Sequence, residues 1–209
     1  MGQKVNPKVF RLKIVDSWDS FWYCKKNYSY KLYEDIRIRK LIYDKYNFLG
    51  LGQIKIERLA NRVTINISYS KTNSVLLKKK VDISNLKFLI SKITRNIIII
   101  NLYEIKKPEI NSFLISHFVA QQLEKRVSFR KILKKVISDA ISSGAMGIKI
   151  LLSGRLGGAE IARNEAYKYG KIPLHTIRAA ISYSKIQAKT IYGIIGVKVW
   201  VYQGERINK

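Results

Sequence analysis

Between Ser128 and Arg163 the spacing of apolar residues leaves the backbone little choice. Phe129, Ile132, Leu133, Val136, Ile137, Ala140 and Ile141 follow the i, i+3, i+4, i+7 rule, which lays them along one stripe of an α-helix. Arg130, Lys131, Lys134 and Lys135 take the other side. Ser128 precedes the run as an N-cap, its hydroxyl expected to accept from N–H groups that the first turn leaves unpaired. Gly144 is expected to end the helix in the left-handed conformation. Gly147 is expected to turn the chain into Ile148–Leu152, a short buried strand. The pattern predicts a packed scaffold that holds cations in fixed directions.

A cationic stripe is ordinarily a solvated helix face, but the rest of this chain argues for an anionic partner. It carries 40 Lys+Arg against 14 Asp+Glu, a formal charge of +26 on 209 residues. Self-repulsion on that scale destabilises a compact monomer unless a polyanion neutralises it. The charges run through the whole sequence instead of forming one tail, which suits a protein embedded in folded RNA. With 47% hydrophobic residues the chain can bury a real core. No apolar run approaches the roughly 20 residues of a membrane helix, so no membrane partner is expected. Cys24 is the only cysteine, which excludes a disulfide framework and a multi-cysteine zinc site. Met1–Pro7 lacks the apolar core of a signal peptide, and the folded protein is expected to begin at once.

In chain order, Phe10–Ile14 reads as a strand or an extended arm. Trp18, Phe21, Trp22 and Tyr23 follow, interleaved with Lys25 and Lys26; core or anchor packing is the expected role for these rings, ahead of stacking on bases. Asp35–Tyr46 reads as a helix with a basic side. Gln53–Arg58 and Arg62–Ser68 alternate apolar and polar residues around Leu59-Ala60-Asn61 and predict a hairpin. A helix over Ile83–Ile93 and a strand over Ile97–Tyr103 come next. Pro108 punctuates the chain and places a domain boundary near Lys107. A helix over Ile110–Arg126 leads into the organising stretch. Beyond it, a polar helix or loop is expected through Tyr169, then strands around Ile177–Tyr183 and Val197–Tyr202.

An enzyme finds little support. His117 and His175 are the only histidines, and neither has a cysteine or second histidine nearby in sequence. Glu160 and Glu165 beside Arg155 and Arg163 read as structural ion pairs, and the chain is too poor in acids to suggest a metal-dependent nuclease. Gly154, Gly157 and Gly158 match neither a dinucleotide fingerprint nor a P-loop, which leaves tight turns or close approach to RNA. No metal and no cofactor are expected. The Gly-x-x-Gly matches at Gly144–Gly147 and Gly193–Gly196 precede strands and read as turns.

Several longer runs carry a relationship: Met1-Gly2-Gln3-Lys4-Val5-Asn6-Pro7, Val127-Ser128-Phe129-Arg130-Lys131, Ser153 to Arg163, Pro173-Leu174-His175-Thr176, and Tyr192 to Trp200. With near-constant spacing over almost the whole chain, they resemble the bacterial-type third protein of the small ribosomal subunit. The resemblance implies an α+β fold, with an arm and type II KH-like domain over 1–107 and a C-terminal α/β domain over 108–209. It implies a structural constituent of the small-subunit head that binds small-subunit rRNA and contacts the tenth and fourteenth small-subunit proteins. It also implies a part in lining the channel through which mRNA enters. The family's mRNA-facing cations carry over to Arg130, Lys131 and Lys134; read from the residues alone, the same cations could equally hold rRNA. Lys4, Arg11, Lys78, Lys79, Lys80, Arg155, Arg163 and Arg178 are expected to face rRNA. The alternative is a free RNA-binding regulator with a degenerate KH domain.

The chain departs from the family at one place. A KH domain uses Gly-x-x-Gly between two helices so that its backbone can approach the sugar-phosphate chain. That loop falls on Leu77-Lys78-Lys79-Lys80, where both glycines are replaced. Side chains at Leu77 and Lys80 are expected to block close backbone contact, while Lys78–Lys80 still attract phosphates. Abundant Ile, Lys, Asn and Tyr suit an AT-rich genome. An organelle-encoded gene, mitochondrial or plastid, is expected, with a reduced bacterial genome as the other option.

Overall fold

An asparagine followed by a proline makes the first turn of the chain helical. The computed structural model describes residues 4–46, 50–70 and 80–206. In it α1, Pro7–Phe10, is capped by Asn6, whose side chain accepts from the Lys8 N–H at 3.0 Å. Proline suits this position because its ring presets the helical φ and the missing N–H would be unpaired anyway. Phe10–Ile14, expected as a strand or extended arm, therefore leaves a helix and continues as turns closed on the Arg11 carbonyl. The arm belongs with Lys107–Lys209 in one unit, Met1–Ser17 with Lys107–Lys209. The expected domain 1–107 groups the arm instead with residues that form the other unit, Trp18–Lys106.

The unit Trp18–Lys106 is KH-like. It runs β1 (Ser20–Phe21), α2 (Tyr28–Tyr46), β2 (Leu51–Leu59), β3 (Arg62–Ser70), α3 (Lys80–Ser91) and β4 (Ile97–Ile105). The alternating runs around Ala60 pair as the predicted hairpin, with Ile56 opposite Ile65. β3 and β4 are parallel, Ile65 opposite Ile100, so the chain between them must cross over, and α3 lies in that crossover. The sheet order is β1-β2-β3-β4. Ile38, Ile42, Leu86 and Ile90 from the helices close over Ile54, Ile56, Val63, Ile65 and Ile67 from the strands. Helix α2 starts at Tyr28, well before the expected Asp35; the sequence pattern misses its first turns because Tyr28, Tyr30, Leu32 and Tyr33 are exposed and form no buried stripe.

Two features of this unit were not legible in periodicity. Arg58 is buried and bridges two carboxylates of α2, Nη1 to Glu34 Oε2 at 2.7 Å and Nε to Asp35 Oδ1 at 2.9 Å. Trp22 Nε1 donates to the other oxygen of Asp35 at 2.8 Å, so this ring is the anchor the sequence predicts. Trp18, Phe21 and Tyr23 are exposed, which corrects the expected packing of the whole cluster. Of the loop Leu77–Lys80, residues 77–79 and the Lys80 side chain lie outside the described residues.

The other unit continues through a short 3-10 turn, Pro108–Ile110, to α4 (Ser112–Glu124), α5 (Phe129–Ser142), β5 (Gly147–Gly154), β6 (Arg163–Gly170), β7 (Ala179–Thr190) and β8 (Gly193–Glu205). The strands are antiparallel in the order β6-β5-β8-β7. The apolar stripes of both helices pack on Ile148, Ile150, Leu152, Val197, Val199 and Val201, which alternate inward from the two central strands. Hydroxyl pairs fasten α4 to β7: Ser112 to Ser182 at 2.6 Å and Ser116 to Ser184 at 2.8 Å.

Three expectations change here. The segment through Tyr169, expected as a polar helix or loop, is the edge strand β6, paired with β5 from Gly154↔Arg163 to Gly147↔Gly170. Its alternation is faint because it lies at the sheet edge and is mostly exposed. Gly147 is no turn: it opens β5 where a Cβ would meet the Lys171 carbonyl oxygen at 2.1 Å, so close backbone approach demands glycine. The left-handed residue is Gly144, at φ +98°, as the sequence predicts. Ser128 does occupy the N-cap position of α5, but its hydroxyl makes no capping bond.

Candidate nucleic-acid interface

Helix α5 follows its periodicity closely. Ile132, Leu133, Val136 and Ala140 are buried, while Arg130, Lys131, Lys134 and Lys135 are all exposed. Among the described residues none of these four cations forms an ion pair. The first turn of α5 contains no acidic residue. Its N–H groups form the positive end of the helix dipole, and placing Arg130 and Lys131 there costs about 0.3–1 kcal/mol each. An anion at that end relieves both the dipole and the side-chain repulsion. The helix thus presents unneutralised charge on a support whose far side is locked into the core.

The run Ser153–Arg163 forms a tight loop. After Gly154 the chain makes a 3-10 turn, Leu156–Gly158, in which Gly157 and Gly158 have φ +66° and +82°. A Cβ on Gly158 would press on the Tyr192 ring at 3.0 Å, whereas one on Gly157 would meet open space. Conformation at both, and packing at Gly158, account for the pair of glycines. Arg155 is half-buried within this loop, Nε donating to the Ala159 carbonyl at 2.8 Å and Nη1 to Tyr192 at 3.3 Å, with its guanidinium over the Tyr192 ring. It ties the loop to the β7–β8 turn.

The remaining rRNA-facing expectations divide sharply. Lys4 is exposed. Arg163 and Arg178 are also exposed, with side chains 51% and 67% accessible, and each pairs loosely or locally with a carboxylate: Glu165 at 3.4 Å and Glu205 at 2.7 Å. Exposed pairs of this kind hold little energy and exchange readily for phosphate. Arg11 is a correction. It is 0% exposed, and its Nε donates to Ala179 at 2.8 Å, Nη1 to Pro7 at 3.0 Å and Nη2 to Pro173, Leu174 and Thr176 at 3.1, 2.8 and 3.0 Å. Its donors are spent on carbonyl oxygens, so it fastens the arm instead of reaching RNA.

Sequence reading passed over the outward side of the C-terminal sheet. Lys149, Lys168 and Lys198 lie there with Trp200, and the alternation in Val197–Tyr202 was the signal that places Lys198 and Trp200 opposite the buried valines. No grouping of three or more potential metal ligands occurs among the described residues. His117 sits against the Phe113 ring at 4.6 Å in α4, where burial lowers its pKa.

A KH-like unit and an α/β unit in a chain of formal charge +26 define an RNA-binding protein of mixed α+β fold. The family model for "Ribosomal protein S3, C-terminal domain" matches residues 119–201. The chain is 49% identical over 205 residues to small ribosomal subunit protein uS3 of Ehrlichia canis (strain Jake), covering 98% of this chain and 97% of that one. It is 52% identical over 203 residues to the protein of the same name from Wolbachia sp. subsp. Brugia malayi (strain TRS), covering 97% and 98%. With the one from Syntrophomonas wolfei subsp. wolfei it shares 45% over 205 residues, covering 98% and 90%. The chain belongs to the uS3 family of small ribosomal subunit proteins. These relatives leave the reading as a free RNA-binding regulator without support.

Proposed function

We propose that the chain is a structural constituent of the small ribosomal subunit that binds its rRNA. It sits in the head against the tenth and fourteenth small-subunit proteins and presents Arg130, Lys131 and Lys134 to incoming mRNA. The observation that carries the reading is the near-half identity to uS3 proteins over almost the full length of both chains. The exposed cations of α5 support an RNA-facing role, since they face away from a packed core and strain the helix dipole until an anion arrives; the family resemblance is what selects mRNA over rRNA. No catalytic step is assigned: the role is to hold RNA by charge and shape. An organellar ribosome, mitochondrial or plastid, is the placement favoured by the Ile-, Lys-, Asn- and Tyr-rich sequence; the relatives named above are bacterial.

Sedimentation of native lysate at moderate and then high salt tests the first part. Co-migration with the small subunit at both salts is expected, and release into light fractions at moderate salt refutes it. Charge reversal of Arg130, Lys131 and Lys134 tests the second. Such subunits should assemble yet initiate poorly on hairpin-containing messages, and normal translation of those messages refutes the mRNA role.

A further inference from the structure

The sheet β6-β5-β8-β7 has one face sealed by helices, and its other face is chemically unusual. The register lines up Lys168, Lys149, Trp200 and Tyr183 straight across the strands. The next row is Ala166, Leu151, Lys198 and Lys185. Two like-charged pairs, Lys149 opposite Lys168 and Lys198 opposite Lys185, therefore stand directly across from each other on one face. Such pairs destabilise a sheet. Among the described residues no carboxylate pairs with any of these four lysines.

Between the lysines lies an aromatic platform. The Trp200 and Tyr183 rings are 5.3 Å apart, and the Lys149 ammonium lies 5.5 Å from the Trp200 centroid. Burial raises the Tyr183 pKa, which keeps that ring neutral. The platform is the floor of a cavity of about 580 Å³, walled by Lys4, Val5, Asn6, Pro7 and Phe10 of the arm and by Ile172, Leu174 and His175. Arg11, through its bonds to Pro7, Pro173 and Leu174, holds both walls in place. Among the described residues no acidic side chain lines the cavity.

A solvated sheet face would disperse or neutralise its lysines and would not wall in a half-buried tryptophan among them. Cations around a half-buried ring that lines a cavity suit a π-face flanked by phosphates. We infer that this cavity takes an unpaired nucleotide of RNA. The base stacks on Trp200 beside Tyr183, and the flanking phosphates are held by Lys149, Lys168 and Lys198, with Lys4 from the arm. Lys149 is one strand and Lys198 two residues away from Trp200, roughly 5 and 7 Å along the sheet, within reach of neighbouring phosphates. The volume lies in the range of about 300–1,000 Å³ typical of small-ligand sites and admits a splayed base but no duplex. The inference deepens the ribosomal reading and rests on it for the source of the RNA.

The test is binding of a short labelled oligouridylate and of an RNA duplex to the full chain, with polyglutamate as competitor. Trp200→Leu should weaken the single strand by about fivefold to a hundredfold, as expected for one lost base stack, and leave duplex binding within about twofold. Trp200→Phe should restore it. Lys149→Gln with Lys198→Gln should raise the melting temperature by removing repulsion while lowering the salt slope of single-strand binding by roughly 0.7 per phosphate lost. Stability up with binding down is a combination that a merely structural role does not produce. Unchanged single-strand binding by Trp200→Leu overturns the site, as does an equal loss on both RNAs. Displacement by polyglutamate as effective as by unlabelled oligouridylate overturns it too, and assigns the face to an acidic protein. The assay needs no ribosome, so it fails independently of the sedimentation test.

Discussion

Replacing Arg11 by alanine should cost the unit Met1–Ser17 with Lys107–Lys209 a large part of its stability. The guanidinium uses Nε, Nη1 and a shared Nη2 to reach carbonyl oxygens of Ala179, Pro7, Pro173, Leu174 and Thr176. Four charge-assisted N–H donors at about 1.5–3 kcal/mol each set a ceiling of roughly 6–12 kcal/mol. Desolvation of the cation works against that total, as its lowered pKa indicates, and water admitted to the truncated site satisfies some carbonyls. About 3–5 kcal/mol remains, the cost of leaving several buried carbonyls short of a donor at about 1–3 kcal/mol each. Whole domains are stable by only about 5–15 kcal/mol. Arg11→Lys keeps the charge but not the planar fork and should lose about 2 kcal/mol.

Urea unfolding of the full chain reads this directly. Two units allow two transitions, and only the one involving the arm should move to lower urea, with its slope unchanged. A shift of less than about 1 kcal/mol in Arg11→Ala would refute the structural role. Lost RNA binding at unchanged stability would return Arg11 to the RNA-facing set.

Other outcomes follow from the same reasoning. Arg58→Met leaves Glu34 and Asp35 buried without their cation and should destabilise Trp18–Lys106 by about 3–5 kcal/mol in a urea melt. Replacing all three by apolar residues of similar volume should recover most of that loss. His117 has a pKa depressed by burial, so the unfolded chain binds its proton first. Its contribution is present above the ordinary value near 6.5 and falls away as pH drops through the folded pKa. Stability measured from pH 7 downward should show that loss, and His117→Phe should remove it.

Nearest-neighbour information was enough for much of this protein. The stripe from Phe129 to Ile141, the alternation in Arg62–Ser68 and Val197–Tyr202, and the left-handed Gly144 all report constraints set within one or two turns of chain. Those constraints act before any long-range contact forms, so helix, strand and turn were legible there, and with them the solvent-facing position of Arg130, Lys131 and Lys134. The long runs shared with uS3 proteins carried the family in the same way. Tertiary structure decided the rest. β6 is a strand because β5 offers it a ladder of hydrogen bonds, although its own residues are mostly exposed. Gly147 is a glycine because Lys171 passes against it. Arg11 looks like any other cation in the arm until carbonyls more than 160 residues away surround it. Lys149 and Trp200 become neighbours only once two strands find their register. A residue's backbone state depends chiefly on what is near it in sequence, but the fate of a charge depends on what the fold brings to it.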